Sequence, residues 1–292
     1  MKVALIFNKD RSDTTGIYFQ KALEAASIEF DHYPLEGIEK LIDNPRAYDL
    51  YLRIDHGDYK FDLHKKFSPA AFLAIDTHLK KPFKKICRAA KHYDFLFATQ
   101  KEGAELLEKK LRRSVYWMPL ACDPDIHKKL DIEKLYDVGF VGSYGGKGSL
   151  REETLLYVKD KFKNSFIGNA DYADMSRIYS ASKIGINFSL NNDINMRIFE
   201  ILSCGAMLLT SKVDDNGFEE LFTEGEHLIT YNDKEDLAQK IDYYLGHEDK
   251  RKQIAQAGYE LVIKNHTYKN RLDKMFEIIA SLNADKFKDL KI

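Results

Sequence analysis

Two α/β domains in tandem, each a doubly wound parallel sheet, form the fold class that three observations in the sequence predict. The chain has 292 residues, and at roughly 100–200 residues per domain the prior count is two. Short apolar runs rich in β-branched and aromatic residues alternate with helical patterns, as in parallel sheets covered on both faces. Proline and glycine partition the chain: all six prolines lie at or before residue 124, and twelve of the sixteen glycines lie after it. Such a shift in composition accompanies a domain boundary, and the polar, proline-bearing stretch 119–134 reads as a linker. The expected boundary therefore lies near residue 125, with a first domain over 1–125.

In chain order, the apolar runs place strands at residues 3–7, 28–33, 50–54, 71–75, 95–99 and 115–118 in the first half. Those of the second half fall at 138–141, 165–167, 184–188, 207–210 and 227–230. Helical periodicity marks 15–26, 101–111, 151–162, 195–203, 234–245 and 249–264 between them. A Tyr-Asp pair opens three of the strands (Tyr48-Asp49, Tyr93-Asp94, Tyr136-Asp137), which suggests one turn chemistry used repeatedly. In open parallel sheets ligands bind beyond the carboxyl ends of the strands, where strand order reverses. Two such domains would face one another across a cleft, so the residues just after each strand are the ones to inspect.

Charge and cysteine content narrow the class of function. Lys plus Arg is 45 and Asp plus Glu 46, a formal net charge of −1, which argues against nucleic acid as a bulk electrostatic partner. Cys87, Cys122 and Cys204 are odd in number and form no CxxC pair, so they read as reduced core thiols of a cytoplasmic protein. No apolar run is long enough to cross a membrane, and the N-terminus becomes charged too early for a signal peptide.

The second half carries the sharpest chemical signals. The strand at 138–141 runs into GSYGGKGSLREE and then a helix, a glycine-rich turn whose backbone donors and helix dipole suit phosphate. The spacing matches neither the dinucleotide fingerprint nor the Walker A motif. Gly142 and Ser143 open the loop, and Lys147 and Arg151 can add charge for a diphosphate. In NNDINMRIFEILSCGAMLLTS, Arg197 and Glu200 share a helix face. They read either as an i,i+3 ion pair or as a phosphate contact followed by a carboxylate for a ribose diol.

FEILSCGAMLLTS, followed by GFEELFTEGEHLITYNDKEDLAQKIDYYL and KNHTYKNRLDKMFEII, resembles the C-terminal domain of group-1 glycosyltransferases, closest to the CgeB-like (spore-maturation) branch. The likeness is strong over residues 136–282 and extends more weakly to 93–127. It implies the GT-B architecture, two Rossmann-like domains with a nucleotide sugar in the interdomain cleft, and a metal-independent, retaining transfer with no cofactor beyond the nucleotide diphosphate sugar. Glu200 matches the second glutamate of the family's E-x7-E motif, which binds ribose; the first falls on Asn192, a departure from the motif. Arg197 matches a basic position near the diphosphate, and Gly142 and Ser143 match the loop that meets the distal phosphate. The segment 268–282 matches the part of GT-B proteins that crosses back onto the first domain, so the resemblance implies a second domain over 126–265 and a closing helical segment at 266–292. A GT-B sugar-nucleotide epimerase and a non-catalytic nucleotide-sugar or glycan-binding protein remain alternatives.

In the first half, Asp76 and His78 follow the strand at 71–75 and are the candidates for acid/base work, against a helix cap and a surface polar residue as the plain reading. His56 and Asp58 hold the same place after the strand at 50–54. Asp13 and Thr15 lie in the loop after the first strand, for capping or acceptor contact. Asp123-Pro124-Asp125 has a D-x-D spacing but sits in the expected linker, so neither it nor Asp214-Asp215 is read as a metal site. Residues 80–113, from Lys80 to Arg113, carry eleven Lys or Arg against four Asp or Glu. They read as a solvated helix face, or as peripheral contact with an anionic inner membrane face that would suit a lipid-linked acceptor. The acceptor (glycan, protein or lipid-linked), the nucleotide base and the sugar are not specified by sequence.

Overall fold

The computed structural model describes residues 1–9, 14–57 and 59–282; Asp13 and Asp58 lie outside the described residues. The chain folds as two compact units, Met1–Pro119 with Tyr268–Ile292, and Leu120–Thr267.

The first unit holds a parallel sheet of β1 (Lys2–Ile6), β2 (Glu29–Tyr33), β3 (Leu50–Ile54), β4 (Ala70–Ala74), β5 (Phe95–Ala98) and β6 (Tyr116–Trp117), in the order β2-β1-β3-β4-β5-β6. Every residue of β3, β4 and β5 is buried, because helices cover both faces, so these strands read as continuous apolar runs rather than alternating ones. Its helices are α1 (Thr15–Ala25), α2 (Ile38–Leu41), α3 (Lys80–Ala89), α4 (Lys101–Leu111) and α11 (Tyr268–Leu282). α11 is joined to this unit by aromatic packing: the Tyr268 ring stacks on Tyr18 of α1 at 4.8 Å and meets Phe19 edge-on at 5.5 Å. On α3, Ile86 and Cys87 turn inward while Lys84, Lys85 and Arg88 are exposed.

The Tyr-Asp pairs do share one job. Each aspartate stands just before or at the start of its strand and ties it to a neighbour. Asp49 accepts from the Lys2 backbone N–H at 2.7 Å, Asp94 from that of Ala70 at 2.7 Å, and Asp137 pairs with the Lys183 ammonium at 2.6 Å.

The second unit holds β7 (Tyr136–Val141), β8 (Ser165–Gly168), β9 (Ser182–Asn187), β10 (Met207–Ser211) and β11 (Ile229–Tyr231), all parallel, in the order β11-β10-β9-β7-β8. α5 (Leu150–Lys161), α6 (Met175–Ser180), α7 (Met196–Ser203), α8 (Phe218–Leu221), α9 (Lys234–Gly246) and α10 (Glu248–Asn265) connect and cover it. The chain leaves β7 toward β8 on one side and returns to β9 on the other. The topological switch of this unit therefore lies between β7 and β9, and that of the first unit between β1 and β3.

The stretch expected to be a linker is instead part of the second unit. Leu120, Ala121, Cys122, Asp123 and His127 are buried. Two serines one turn apart on α6 hold the segment: Ser176 Oγ donates to Ile126 O and accepts from Lys128 N, and Ser180 Oγ accepts from Leu130 N at 3.0 Å. The segment is thus tied to the second unit through its main chain, while Pro124, Asp125, Lys128, Lys129 and residues 131–134 stay exposed. Asp123 of the D-x-D pattern accepts from the Asp125 and Ile126 N–H groups, an Asx turn. The three cysteines are buried thiols in no disulfide. Among the described residues no helix is long and apolar enough to cross a membrane.

α10 lies close against its neighbours at Gly258, where a Cβ would collide with the His227 carbonyl oxygen and stand 2.7 Å from Leu202 of α7. Helix propensity by itself favours alanine there by about 1 kcal/mol, whereas overpacking costs about 1–3 kcal/mol. Because the obstacle is backbone, the clash should win: Gly258→Ala is expected to lower the thermal unfolding midpoint by several degrees. A midpoint equal to or above that of the parent would show that the close approach is absent.

Candidate functional site

The carboxyl ends of β7 and β9 carry two guanidinium groups brought from different helices. Arg197, in the first turn of α7, donates from Nε to Val141 O at 3.1 Å and from Nη1 to Asn187 Oδ1 at 3.3 Å. It thus spans the ends of both strands across the topological switch. Arg151, at the start of α5, is 8% exposed, and its buried Nε has no hydrogen-bond partner. Both guanidinium carbons lie over the Phe140 ring, Arg197 at 4.7 Å and Arg151 at 5.2 Å. Neither forms an ion pair with a carboxylate among the described residues. Burial first, and the charge of Arg197 second, push Arg151 down to about 10.

The two side chains converge on Gly142, the first residue past β7. Its φ is +143°, and a Cβ there would stand 2.7 Å from Arg197 Nη2 and 3.4 Å from Arg151 Nη2. The positive φ calls for glycine, and the missing side chain leaves room beside the two guanidinium groups. Its amide is already spent on Gly168 O at 2.9 Å, so its contribution is open space beside the cations rather than the phosphate-facing N–H expected of it. Two adjacent, poorly compensated cations facing a cleared space form a binding geometry for an anion with several oxygens.

The polar frame around this pair is closed. Asn187 donates to Thr210 Oγ1 at 3.0 Å, which turns its Oδ1 toward Arg197. Tyr231 donates to Asn187 O at 2.7 Å, and the Val141 N–H donates to the Tyr179 hydroxyl. Asp193, 8% exposed, accepts from Leu190 N and Ser189 Oγ and lends Arg151 partial electrostatic relief. Sequence reasoning missed Asn187, Asp193 and Tyr179. Asn187 ends β9 and Asp193 lies in the loop that follows it, and a polar residue at the carboxyl end of a strand is the signal that could have found the first.

The glycine-rich loop is organised differently from its sequence expectation. Ser149 caps α5 by accepting from Glu152 N, while the Glu152 carboxylate accepts from Gly148 N. Glu152 and Glu153 occupy the first turn, so the dipole and donors of that terminus are already met by acids. Ser143 and Lys147 are exposed on the loop, and Lys147 is not brought to the guanidinium pair by any hydrogen bond or ion pair among the described residues. α7 is the contrasting helix: its first turn holds no acid, and Asn195 supplies no side-chain cap.

Arg197 and Glu200 do not pair with each other. Arg197 reaches the strand ends, and Glu200, 7% exposed, faces His127 Nε2 at 3.6 Å from Oε1. Asn192, where the family motif has its first glutamate, has φ +62° and clasps a second loop. Its amide donates to Asp214 O and accepts from Asp214 N at 2.9 Å, while Asn216 donates to Asn192 O. A carboxylate could accept but not donate here, and asparagine tolerates the left-handed conformation well.

In the first unit the exits of β3 and β4 are neighbours, joined by Asp55, a buried carboxylate that sequence reasoning did not select. It accepts from Gly57 N, from the Tyr59 hydroxyl at 2.7 Å and from Ile75 N at 3.1 Å. His56 thereby lies on the loop beside that of Asp76 and His78. His56 and His78 are half-buried, and the buried Nδ1 of His78 has no hydrogen-bond partner. Thr15 is buried at the start of α1, whose second residue, Gly16, meets the Phe7 ring. Among the described residues no group of three or more His, Cys, Asp or Glu could hold a metal ion.

The model of a family described as glycosyl transferase-like matches residues 127–277, more than half of the chain, including Arg151, Arg197 and Glu200. The chain belongs to the glycosyl transferase-like family. No curated protein matches the sequence. Among solved structures, the glycosyltransferase is similar to a sucrose-phosphate synthase of Thermosynechococcus elongatus (13% identity, 97% of this chain and 99% of that one, TM-score 0.65). It is also similar to HepE of Anabaena in complex with UDP (12%, 96% and 100%, TM-score 0.65). An α-glucosyltransferase in complex with UDP-glucose and DNA containing an abasic site aligns at TM-score 0.72 (11%, 96% and 99%). The shared fold is that of GT-B glycosyltransferases, with two parallel α/β sheets.

The like charges at Gly142 predict opposite effects of one substitution. Replacing a buried, poorly paired charge by an apolar side chain of similar volume is neutral or stabilising by about 1–4 kcal/mol. Arg151→Met should therefore leave the ligand-free protein at least as stable as the parent, and it should remove the rise in melting temperature expected of the parent with pyrophosphate. Thermal unfolding with and without pyrophosphate measures both. A marked loss of stability in the ligand-free variant would mean that Arg151 is instead balanced by a carboxylate.

Proposed function

We propose that this glycosyltransferase moves a sugar from a UDP-sugar to a hydroxyl acceptor, with the diphosphate held by Arg151 and Arg197 in the space beside Gly142. The observation that carries the reading is the convergence of these two cations at the topological switch of the second unit, where α/β sheets bind their ligands. HepE in complex with UDP and the α-glucosyltransferase in complex with UDP-glucose support UDP as the nucleotide.

The chemistry follows from the charges. Breaking the bond between the sugar and the diphosphate places negative charge on the leaving phosphate oxygens. Fixed guanidinium groups over an aromatic ring stabilise that charge without reorganising. This supports transfer without a resident metal, since the cations already present supply the electrostatics. Glu200 serves as anchor for the ribose diol and contributes position rather than chemistry. Asp76 and His78 are proposed to contact the acceptor hydroxyl or the sugar, with His56 and Thr15 on the acceptor side, and Ser143 and Lys147 at the outer edge of the donor. Resemblance to group-1 enzymes, and within them to the CgeB-like branch, supports retention of configuration. The exposed basic face of α3 is compatible with an acceptor carried on an anionic lipid surface.

A thermal-shift screen against UDP, GDP, ADP, CMP and dTDP sugars tests the donor. Mass action raises the melting temperature for the ligand that binds the native state, by about 2.7 kcal/mol of stability at a hundred times Kd, and UDP-sugars should give the largest shift. Arg197→Ala removes charge-assisted hydrogen bonds worth about 1.5–3 kcal/mol, so UDP should bind roughly ten- to a hundredfold more weakly. Unchanged UDP affinity in both Arg197→Ala and Glu200→Gln would show that the donor pocket lies elsewhere. On the acceptor side, His78→Ala should lower kcat while the donor KM stays near the parent value, as steady-state kinetics with a saturating acceptor would show.

A further inference from the structure

Behind Glu200 lies a histidine that neither the sequence motifs nor the family resemblance singled out. The His127 side chain is fully buried, and its Nε2 stands 3.6 Å from Glu200 Oε1. The other ring nitrogen, Nδ1, accepts a hydrogen bond from the Asp123 backbone N–H at 3.1 Å. A nitrogen that accepts carries no proton, so the ring proton sits on Nε2, on the side of the Glu200 carboxylate.

The main chain around the ring is fixed from two helices. Ser203, one turn after Glu200 on the same face of α7, donates to His127 O at 2.6 Å. On α6, Ser176 donates to Ile126 O and accepts from Lys128 N, holding the residues on either side. His127 is therefore docked on α7 twice, by its carbonyl at Ser203 and by its ring at Glu200. A carboxylate at the end of a two-methylene side chain has several rotamers to lose. A fixed imidazole whose Nε2 stands 3.6 Å from one oxygen restricts that freedom before any ligand arrives.

We propose that His127 is a positioning residue: it orients the Glu200 carboxylate so that both oxygens meet the two hydroxyls of the donor ribose. This rests on the reading of Glu200 as the ribose anchor. His127 faces the Glu200 carboxylate, so its effect should appear in recognition of the ribose.

The test compares binding of UDP and 2′-deoxy-UDP by calorimetry in the parent protein, Glu200→Gln, His127→Asn and His127→Gln. Asparagine reproduces the acceptor at Nδ1 but does not reach Glu200, whereas glutamine places an amide N–H near Nε2. The parent should prefer UDP by tenfold or more, Glu200→Gln and His127→Asn should reduce that preference to twofold or less, and His127→Gln should retain most of it. A purely structural role would lower affinity for both nucleotides alike and leave the ratio unchanged.

A parent-like preference in His127→Asn would overturn the positioning role while leaving the ribose anchor standing. Equal affinities in the parent, or an undiminished preference in Glu200→Gln, would overturn the anchor and the positioning role together. If His127→Asn does not fold, ¹⁵N chemical shifts of the parent's histidines decide: a proton on Nδ1 of His127 overturns the proposal, and one on Nε2 supports it.

Discussion

Arg197 joins the ends of β7 and β9, two strands that diverge at their loops because the chain winds to opposite sides of the sheet between them. Much of the candidate site depends on that span. The guanidinium needs a carbonyl from one strand and a side-chain oxygen from the other. It also needs an aromatic face to lie on and a residue without a side chain in front of it. Val141, Asn187, Phe140 and Gly142 meet these needs. Arg151 then adds a second positive charge that the surrounding protein leaves largely uncompensated, and the depressed proton affinity of that group is the electrostatic record of it.

Rigidity behind the cations comes from neutral hydrogen bonds. Thr210 and Tyr231 hold Asn187, and Asn192 locks its own loop to the 214–216 loop through both faces of its amide. Asn192 thus supplies a two-way clasp in a left-handed turn. A site built this way holds its charges in place before an anion arrives, so electrostatic stabilisation need not be offset by rearrangement.

The parallel strands, the placing of most helices and the candidates at Arg151, Arg197 and Glu200 were legible because each is written in local spacing. A fully covered strand must be apolar throughout, and a helix that begins a site must bring its first turn there. The segment 120–134 was misread for the opposite reason. Its polar side chains are largely exposed, as composition suggests, but its main chain is tied to Ser176 and Ser180, some fifty residues away, and composition does not report such bonds. The glycine-rich loop was legible as a loop, but the acids that occupy the start of α5 change what its donors can do.

By itself the sequence determined the alternation of strands and helices, the two-sheet class and the family, since these follow from periodicity and motifs within short windows. Tertiary structure decided which partner each polar group finds. It separated Arg197 from Glu200, although they share a helix face, because each is drawn to a group on a different element. It used Gly142 for the room it leaves rather than for its amide. It set His127 against Glu200 from seventy-three positions away in the chain, a contact between residues that no local rule relates and that exists because α6 and α7 hold the same extended segment.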